Sequence, residues 1–282
     1  MWTLNRIITF IFDGIFFPFR SLHPMVGMIV ISVITGVVML WLFKVTSDQE
    51  GIGRIKKKIW ARLYEMYLFN RDLGVMIRSQ KGLLLANLRY LRYSLKPVVF
   101  MIPPIFFILV QLNMRYGMRP LEVGKTATVT VKFHDAFPQG NPGFALKASR
   151  GVKVETLPVR VFDRVANRKE ASWRIRAEEP GEQELTLEIG DETITKKLWV
   201  GDKPRPARIS NGRYRSSNIG QAFLEPAEPA IDPELGIDAI TVKHPAASLS
   251  FFGFWNTHWL VWFCILSIAV GLALKNKFGV QI

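Results

Sequence analysis

Four histidines, His23, His134, His244 and His258, and one cysteine, Cys264, are the imidazole and thiol groups available for metal or nucleophile chemistry. None of the histidines neighbours the cysteine and no pair has helix-ligand spacing, which points away from a structural or catalytic zinc site. No phosphate-cradling loop, nucleophile elbow or zinc-protease helix occurs in the sequence. Gly51-Ile52-Gly53 lacks the strand before it and the third glycine after it that a dinucleotide fold needs. These residues predict a non-enzymatic chain with no cofactor and no metal.

Two other groups of residues carry chemistry of a different kind. Ser32, Thr35, Gln111, Asn113, Asn256, His258 and Ser267 are polar positions inside otherwise apolar runs. A side chain there has no hydrogen-bond partner in lipid and usually faces protein or water, so Ser32, Thr35, Gln111, Asn113 and His258 are candidates for lining a groove. The competing reading is helix packing, with Ser and Thr bonded to the preceding turn and Gln111 and Asn113 reaching the outer interface. The second group is basic: Lys56, Lys57, Lys58 and Arg62, then Arg78, Lys81, Arg89 and Arg92. Such a cluster suits phosphate headgroups, an RNA surface or plain solvent.

The elements that position these residues follow from the apolar patterning. Of 282 residues 49% are apolar, which excludes a disordered chain, and one cysteine excludes a disulfide-stapled fold. Residues 21–43 hold 23 positions without a charge, closed by Arg20 and Lys44. At about 1.5 Å of helical rise per residue that length spans a hydrocarbon core with a little tilt. Residues 97–114 form a second run between Lys96 and Arg115, and residues 249–274 a third, with Trp255, Trp259 and Trp262 near one end as an interfacial belt. Residues 1–20 read as a retained in-plane helix, because Asp13 interrupts the apolar stretch and no small-x-small cleavage site follows. Leu4, Ile7, Ile8, Ile11, Phe12, Ile15, Phe16 and Phe19 fall on one face of it, although an N-terminal extension of the first span would read the same way.

Charge sets the expected orientation. Residues 44–96 carry twelve basic against four acidic residues, a net of +8, which the positive-inside rule places in the cytoplasm. The N-terminal helix and residues 115–248 then lie outside, and the tail from Lys275 returns to the cytoplasm. Most of the formal +14 is thus a topological signal on one loop, and no specific nucleic-acid partner is expected. Within the loop, Ile52, Ile55, Ile59, Leu63 and Met66 recur at helical steps, as do Leu84, Leu88, Leu91 and Leu95. Asn70, Asp72 and Gly74 supply a turn and a cap between them, giving an antiparallel hairpin whose apolar stripes face each other. Pro103-Pro104 predicts a kink or a shortened helix in the second span.

Beyond Arg119-Pro120 the period changes to two. Ala127, Val129, Val131 and Phe133 alternate with polar residues, as do Trp173, Ile175 and Ala177, then Leu185, Leu187 and Ile189. Gly190-Asp191 makes a two-residue turn, and Val152, Val154, Val159 and Val161 add short strands. Residues 115–201 are therefore expected to form an extracytoplasmic immunoglobulin-like β-sandwich with Trp173 in its core. Residues 202–248, broken by Pro204, Pro206, Pro226, Pro229, Pro233 and Pro245, read as an extended linker, to which Ile237–Val242 adds at most an edge strand. The fold class is membrane α-helical, with three transmembrane helices, an outer N-terminus, a cytoplasmic helical hairpin and the outer sandwich.

This order resembles the core of the YidC/Oxa superfamily of membrane-protein insertases, including its archaeal members and a subunit of the ER membrane protein complex. Phe16-Phe17-Pro18-Phe19 through Ile29-Val30-Ile31-Ser32 to Lys44 is similar to the family's first amphipathic helix and first core span, and Pro103 to Asn113 resembles its second. The resemblance implies a groove that receives hydrophobic client segments while the hairpin meets the ribosome, the incoming chain or other membrane-complex subunits. It implies a multi-pass protein of the bacterial inner (cytoplasmic) membrane, with lipid around it and an envelope partner on the outer domain. Two departures stand out. The groove arginine of bacterial members is replaced by the uncharged Val33-Ile34-Thr35-Gly36-Val37, and about 130 residues separate the second and third spans. They point to a specialised or partner-dependent role. Two rivals stay open: a membrane-anchored adaptor presenting the outer module, and an accessory subunit of a transporter.

Overall fold

The computed structural model describes residues 2–69, 71–134, 137, 144–163, 168–201, 208–215 and 218–280. Asn70 of the proposed turn, and Pro204 and Pro206 of the proposed linker, lie outside the described residues. The chain divides into two compact units, Met1–Gly27 with Leu109–Trp259, and Met28–Ile108 with Leu260–Ile282. In chain order the helices are α1 (Trp2–Phe16), α2 (Pro24–Thr46), α3 (Gln49–Leu68), α4 (Leu73–Tyr116), α5 (Ile219–Leu224) and α6 (Trp259–Phe278). The strands are β1 (Thr126–Phe133), β2 (Phe144–Ala148), β3 (Val152–Val154), β4 (Val159–Asp163), β5 (Arg168–Ala177), β6 (Gly181–Ile189), β7 (Glu192–Val200), β8 (Gly212–Tyr214), β9 (Ile237–Val242), β10 (Leu249–Ser250) and β11 (Asn256–Thr257).

Among the described residues α2, α4 and α6 are long and apolar enough to cross a membrane. Two of their boundaries differ from the sequence expectation. The second arm of the hairpin and the second span are one 44-residue helix, α4, which passes through Pro97, Pro103 and Pro104 without being shortened. Apolar spans tolerate proline because local adjustment re-satisfies the freed carbonyls. The third span starts at Trp259 rather than residue 249, because Phe252 and Gly253 adopt φ of 47° and 94°, which no right-handed helix accommodates. Leu249–Thr257 instead forms the hairpin β10–β11.

Asp48 caps α3 by accepting from the Gly51 amide at 2.8 Å, and Asp72 caps α4 through the Gly74 and Val75 amides at 2.9 and 3.1 Å. The two arms run antiparallel: the Lys56 ammonium lies 6.0 Å from the Tyr90 ring centroid, and Arg62 lies against Gly82. Their contact differs from the expected meeting of two apolar stripes. α3 buries Ile52 and Ile55, whereas α4 buries Ser79 and Ala86 and leaves Leu84, Leu88, Leu91 and Leu95 exposed. Small residues decide it. A Cβ on Gly51 would meet Asp48 and Tyr93, and one on Gly82 would meet Arg62, so the small-residue faces admit the closest approach.

In the other unit, one sheet has the order β3-β5-β1-β9-β8 with β4 also on β5, and a second has the order β2-β6-β7. Both enclose a common core of Val129, Val131, Trp173, Ile175, Leu185, Leu187, Leu198, Ile240 and Val242 among others. Trp173 meets Phe144 edge-on at 5.8 Å. Gly190, at φ 56°, turns β6 into β7. The linker reading of 202–248 is corrected here: β9 pairs with β1 on one side and β8 on the other, an interior position rather than an edge. Its Ile237, Ala239, Ile240 and Val242 are buried in that sheet; Pro226, Pro229 and Pro245 fall in the connections between elements, and Pro233 opens the 3-10 turn Pro233–Leu235. Burial of these apolar side chains outweighs the low regularity of the segments around them.

Candidate functional site

Three polar constellations stand out, two of them in the unit that contains the sheets. The first is at the end of α4. Arg115 donates from Nη2 to Asp13 Oδ1 at 2.6 Å and from Nη1 to Gln111 Oε1 at 2.8 Å. Gln111 Nε2 in turn donates to Thr9 Oγ1 at 2.9 Å. The Arg115 guanidinium also sits 5.7 and 5.3 Å from the Phe12 and Phe16 rings. The face of α1 turned inward holds Asn5, Thr9, Phe12 and Phe16, all buried, while Leu4, Ile7, Phe10 and Ile11 are exposed, so Phe12 and Phe16 part from the apolar face that periodicity assigns them. Gly27 permits the close fit beside it, since a Cβ there would meet Tyr116 and Phe16. Tyr116 closes the joint by donating to the Pro24 carbonyl at 3.0 Å.

The second constellation lies behind β7. Lys196 Nζ reaches Glu228 Oε2 at 2.6 Å and the carbonyl of Ser210 at 3.1 Å, and Glu228 Oε1 accepts from the Lys197 amide at 2.7 Å. Glu225 accepts from the Asn211 amide, and burial pushes its carboxyl up to about 7 against the pull of that amide and Lys196. Burial, then the nearby Lys196 charge, pushes His244 down to about 4, and its Nε2 has no hydrogen-bond partner among the described residues. A cavity of about 310 Å³ opens here, with Asp13, Arg20, Lys197, Trp199, Arg208 and Glu228 in its wall. Its carboxylates are already paired, Asp13 with Arg115 and Arg208, and Glu228 with Lys196.

The third is the hairpin. Arg62 pairs with Glu65 at 2.6 Å. Lys57, Lys58, Arg78, Lys81, Arg89 and Arg92 are exposed, and Lys56 and Arg62 are partly buried between the arms.

The groove candidates separate. Thr35 donates to the Ile31 carbonyl at 2.7 Å, and the Ser32 hydroxyl is buried with no partner among the described residues. Both belong to the helical unit, as does Ser267, which bonds to the Phe263 carbonyl. Gln111, Asn113 and His258 belong to the other. Gln111 is taken up by Thr9 and Arg115, Asn113 is partly buried beside Gly117, and His258 is exposed with its ring 5.4 Å from Trp259. Sequence reasoning passed over Asp13, Arg115, Lys196, Glu225 and Glu228. One signal was available: Ile194, Lys196 and Leu198 share an alternation phase, so a lysine on the inward face of β7 requires a buried counter-charge. Comparison with family models, with curated proteins and with solved structures finds no match to this chain.

Proposed function

We propose that this chain is an insertase-like integral membrane protein of YidC/Oxa type that assists insertion or assembly of membrane proteins. The observation that carries the reading is helix α4, a basic arm held against α3 that continues unbroken into a charge-free span. Six basic and no acidic residues lie along it. On the positive-inside rule the hairpin faces the cytoplasm and the sheet-bearing unit, read as an immunoglobulin-like module, faces the outside of a bacterial inner membrane. The ribosome, the nascent chain and other membrane-complex subunits are the partners this reading assigns to the hairpin.

The test is depletion of the protein, followed by photocrosslinking from Val33 and Val38, both exposed on α2. Capture of nascent membrane segments supports insertion, and recovery of stable subunits alone defeats it. Impermeant labelling of Lys57→Cys from the cytoplasmic side only is the expected orientation result.

A second reading, the membrane-anchored adaptor, is favoured by one observation. Leu157, Val159, Val161 and Phe162, along and just before β4, form an exposed apolar stretch beside β5, with Leu157 87% exposed. Loss of an envelope partner on Val159→Ser/Val161→Ser, with client insertion unchanged, is the outcome expected of the adaptor.

A further inference from the structure

Leu84, Leu88, Leu91 and Leu95 recur on α4 at steps of four, three and four, the spacing of a coiled-coil seam. They are 51–62% exposed, and Ile77, one heptad before Leu84, is exposed too. The face of α4 that α3 covers is the other one, built on Ser79, Gly82 and Ala86. Lys81 falls within the seam, and Arg78 and Arg92 fall at the positions that flank it. No Asp or Glu occurs anywhere on α4, so nothing on the helix itself neutralises these cations.

We infer that this leucine seam is the docking site for an acidic amphipathic helix of a partner protein. Four features select that occupant. A row of leucines has nothing to offer an RNA backbone, for which phosphate contacts and stacking aromatics are the usual chemistry. A second copy of the chain would bring Arg78, Lys81 and Arg92 against their own equivalents, and like charges at flanking positions reject such a pair. A bilayer surface fits less well, because Leu84 to Leu95 lie on the helix that continues past Lys96 into the charge-free segment, and a seam lying flat on lipid needs a break between the two. A helix with leucines on one stripe and glutamates beside it satisfies both the apolar seam and the flanking cations. The inference does not rest on the insertase reading, which concerns the spans and their clients.

The test uses the full chain in phosphatidylcholine nanodiscs and a fluorescent synthetic peptide of leucine heptads with glutamates flanking its seam. Saturable binding by anisotropy, weakened by salt, is expected. Leu88→Ser/Leu91→Ser is expected to weaken it at least about tenfold, and Arg78→Gln/Arg92→Gln several-fold. Because all four residues are exposed, unchanged circular dichroism and melting midpoint are expected to show that both variants fold. The inference is overturned by any of four results: no binding; equal binding by the leucine variant; equal binding of a peptide with lysines in place of the glutamates; or a seam that instead drives dimerisation or insertion into phosphatidylglycerol vesicles.

Discussion

The Arg115 guanidinium and the Asp13 carboxylate meet at 2.6 Å, with 1% and 27% of their side chains exposed, and so tie the last turn of α4 to the N-terminal helix. α1 buries a mixed face, Asn5 and Thr9 together with Phe12 and Phe16, and leaves Leu4, Ile7, Phe10 and Ile11 open, an exposed apolar strip of the kind a helix lying in a lipid interface carries.

Asp13→Asn is expected to release α1, because it strands a buried arginine without its carboxylate, a change that costs about 3 kcal/mol or more for fully buried pairs and somewhat less here, where Asp13 is partly solvated. The measurement is maleimide labelling of Asn5→Cys, a buried position on α1, in a Cys264→Ser background. Slow labelling is expected while Asp13 is present and fast labelling once Asp13→Asn is added. Arg115→Lys is expected not to hold α1 either, since one ammonium does not reproduce the fork that reaches Gln111 and Asp13 together.

Lys196→Met is expected to destabilise the sheet-bearing unit by about 3–5 kcal/mol, since Glu228 stays buried with its strongest partner removed. Lys196→Met/Glu228→Leu is expected to recover most of the loss, because two apolar side chains of similar volume need no partner. Melting of the full chain in detergent, followed by proteolysis of residues 115–248, reads both.

The Glu225 carboxyl and the His244 imidazole give stability two opposed pH dependences. The Glu225 pKa is raised to about 7 on folding, so its contribution is complete below the unfolded value near 4.5 and is lost as pH rises through 7. The His244 pKa is lowered to about 4, so its contribution is complete above the unfolded value near 6.5 and is lost as pH falls through 4. Between roughly pH 4.5 and 6.5 the two slopes oppose each other. Glu225→Gln removes one of them. The variant is expected to gain stability over the parent above pH 7 and to show a steeper rise from pH 4 to 6.5, both read by melting midpoint across that range.

Legibility followed the range of the interactions involved. Strands β1, β5, β6 and β7 were readable because alternation is a local signal, and Trp173 fell on its inward phase. The interior position of β9 was not, since it depends on β1, more than 100 residues away in the chain. Helical periodicity located the leucines of α4, but it is blind to faces made of Gly82 and Ala86, whose lack of bulk is what drew α3 to them. The charge of Lys96 reads as the border between hairpin and span, yet α4 runs through it and on through Pro97, Pro103 and Pro104, because helix continuity in an apolar segment is settled by the surroundings. Of the polar residues inside the apolar runs, Gln111 stood out by its polarity but its partner did not, because Thr9 reaches it from 102 residues away in the chain.

Gly36 supplies a last test, on the packing of two spans. A Cβ there would lie 2.9 Å from Val270 Cγ1 and 3.0 Å from the Ser267 carbonyl oxygen, so α2 and α6 touch through the missing side chain. Such small-residue contacts carry association where lipid removes the hydrophobic drive between helices. Gly36→Ala is expected to lower the melting midpoint in detergent, and Gly36→Leu to lower it much further. Val270→Ala, which clears the nearest side-chain atom, is expected to relieve Gly36→Ala only in part, because the Ser267 carbonyl is backbone and stays in place. A double-mutant cycle over the two sites measures the coupling, expected at about 0.5–1 kcal/mol. Gly271→Ala on the same helix is the control: no atom lies within 4 Å of its Cβ position, so a comparable loss there would mean that small residues on α6 matter for some reason other than contact with α2.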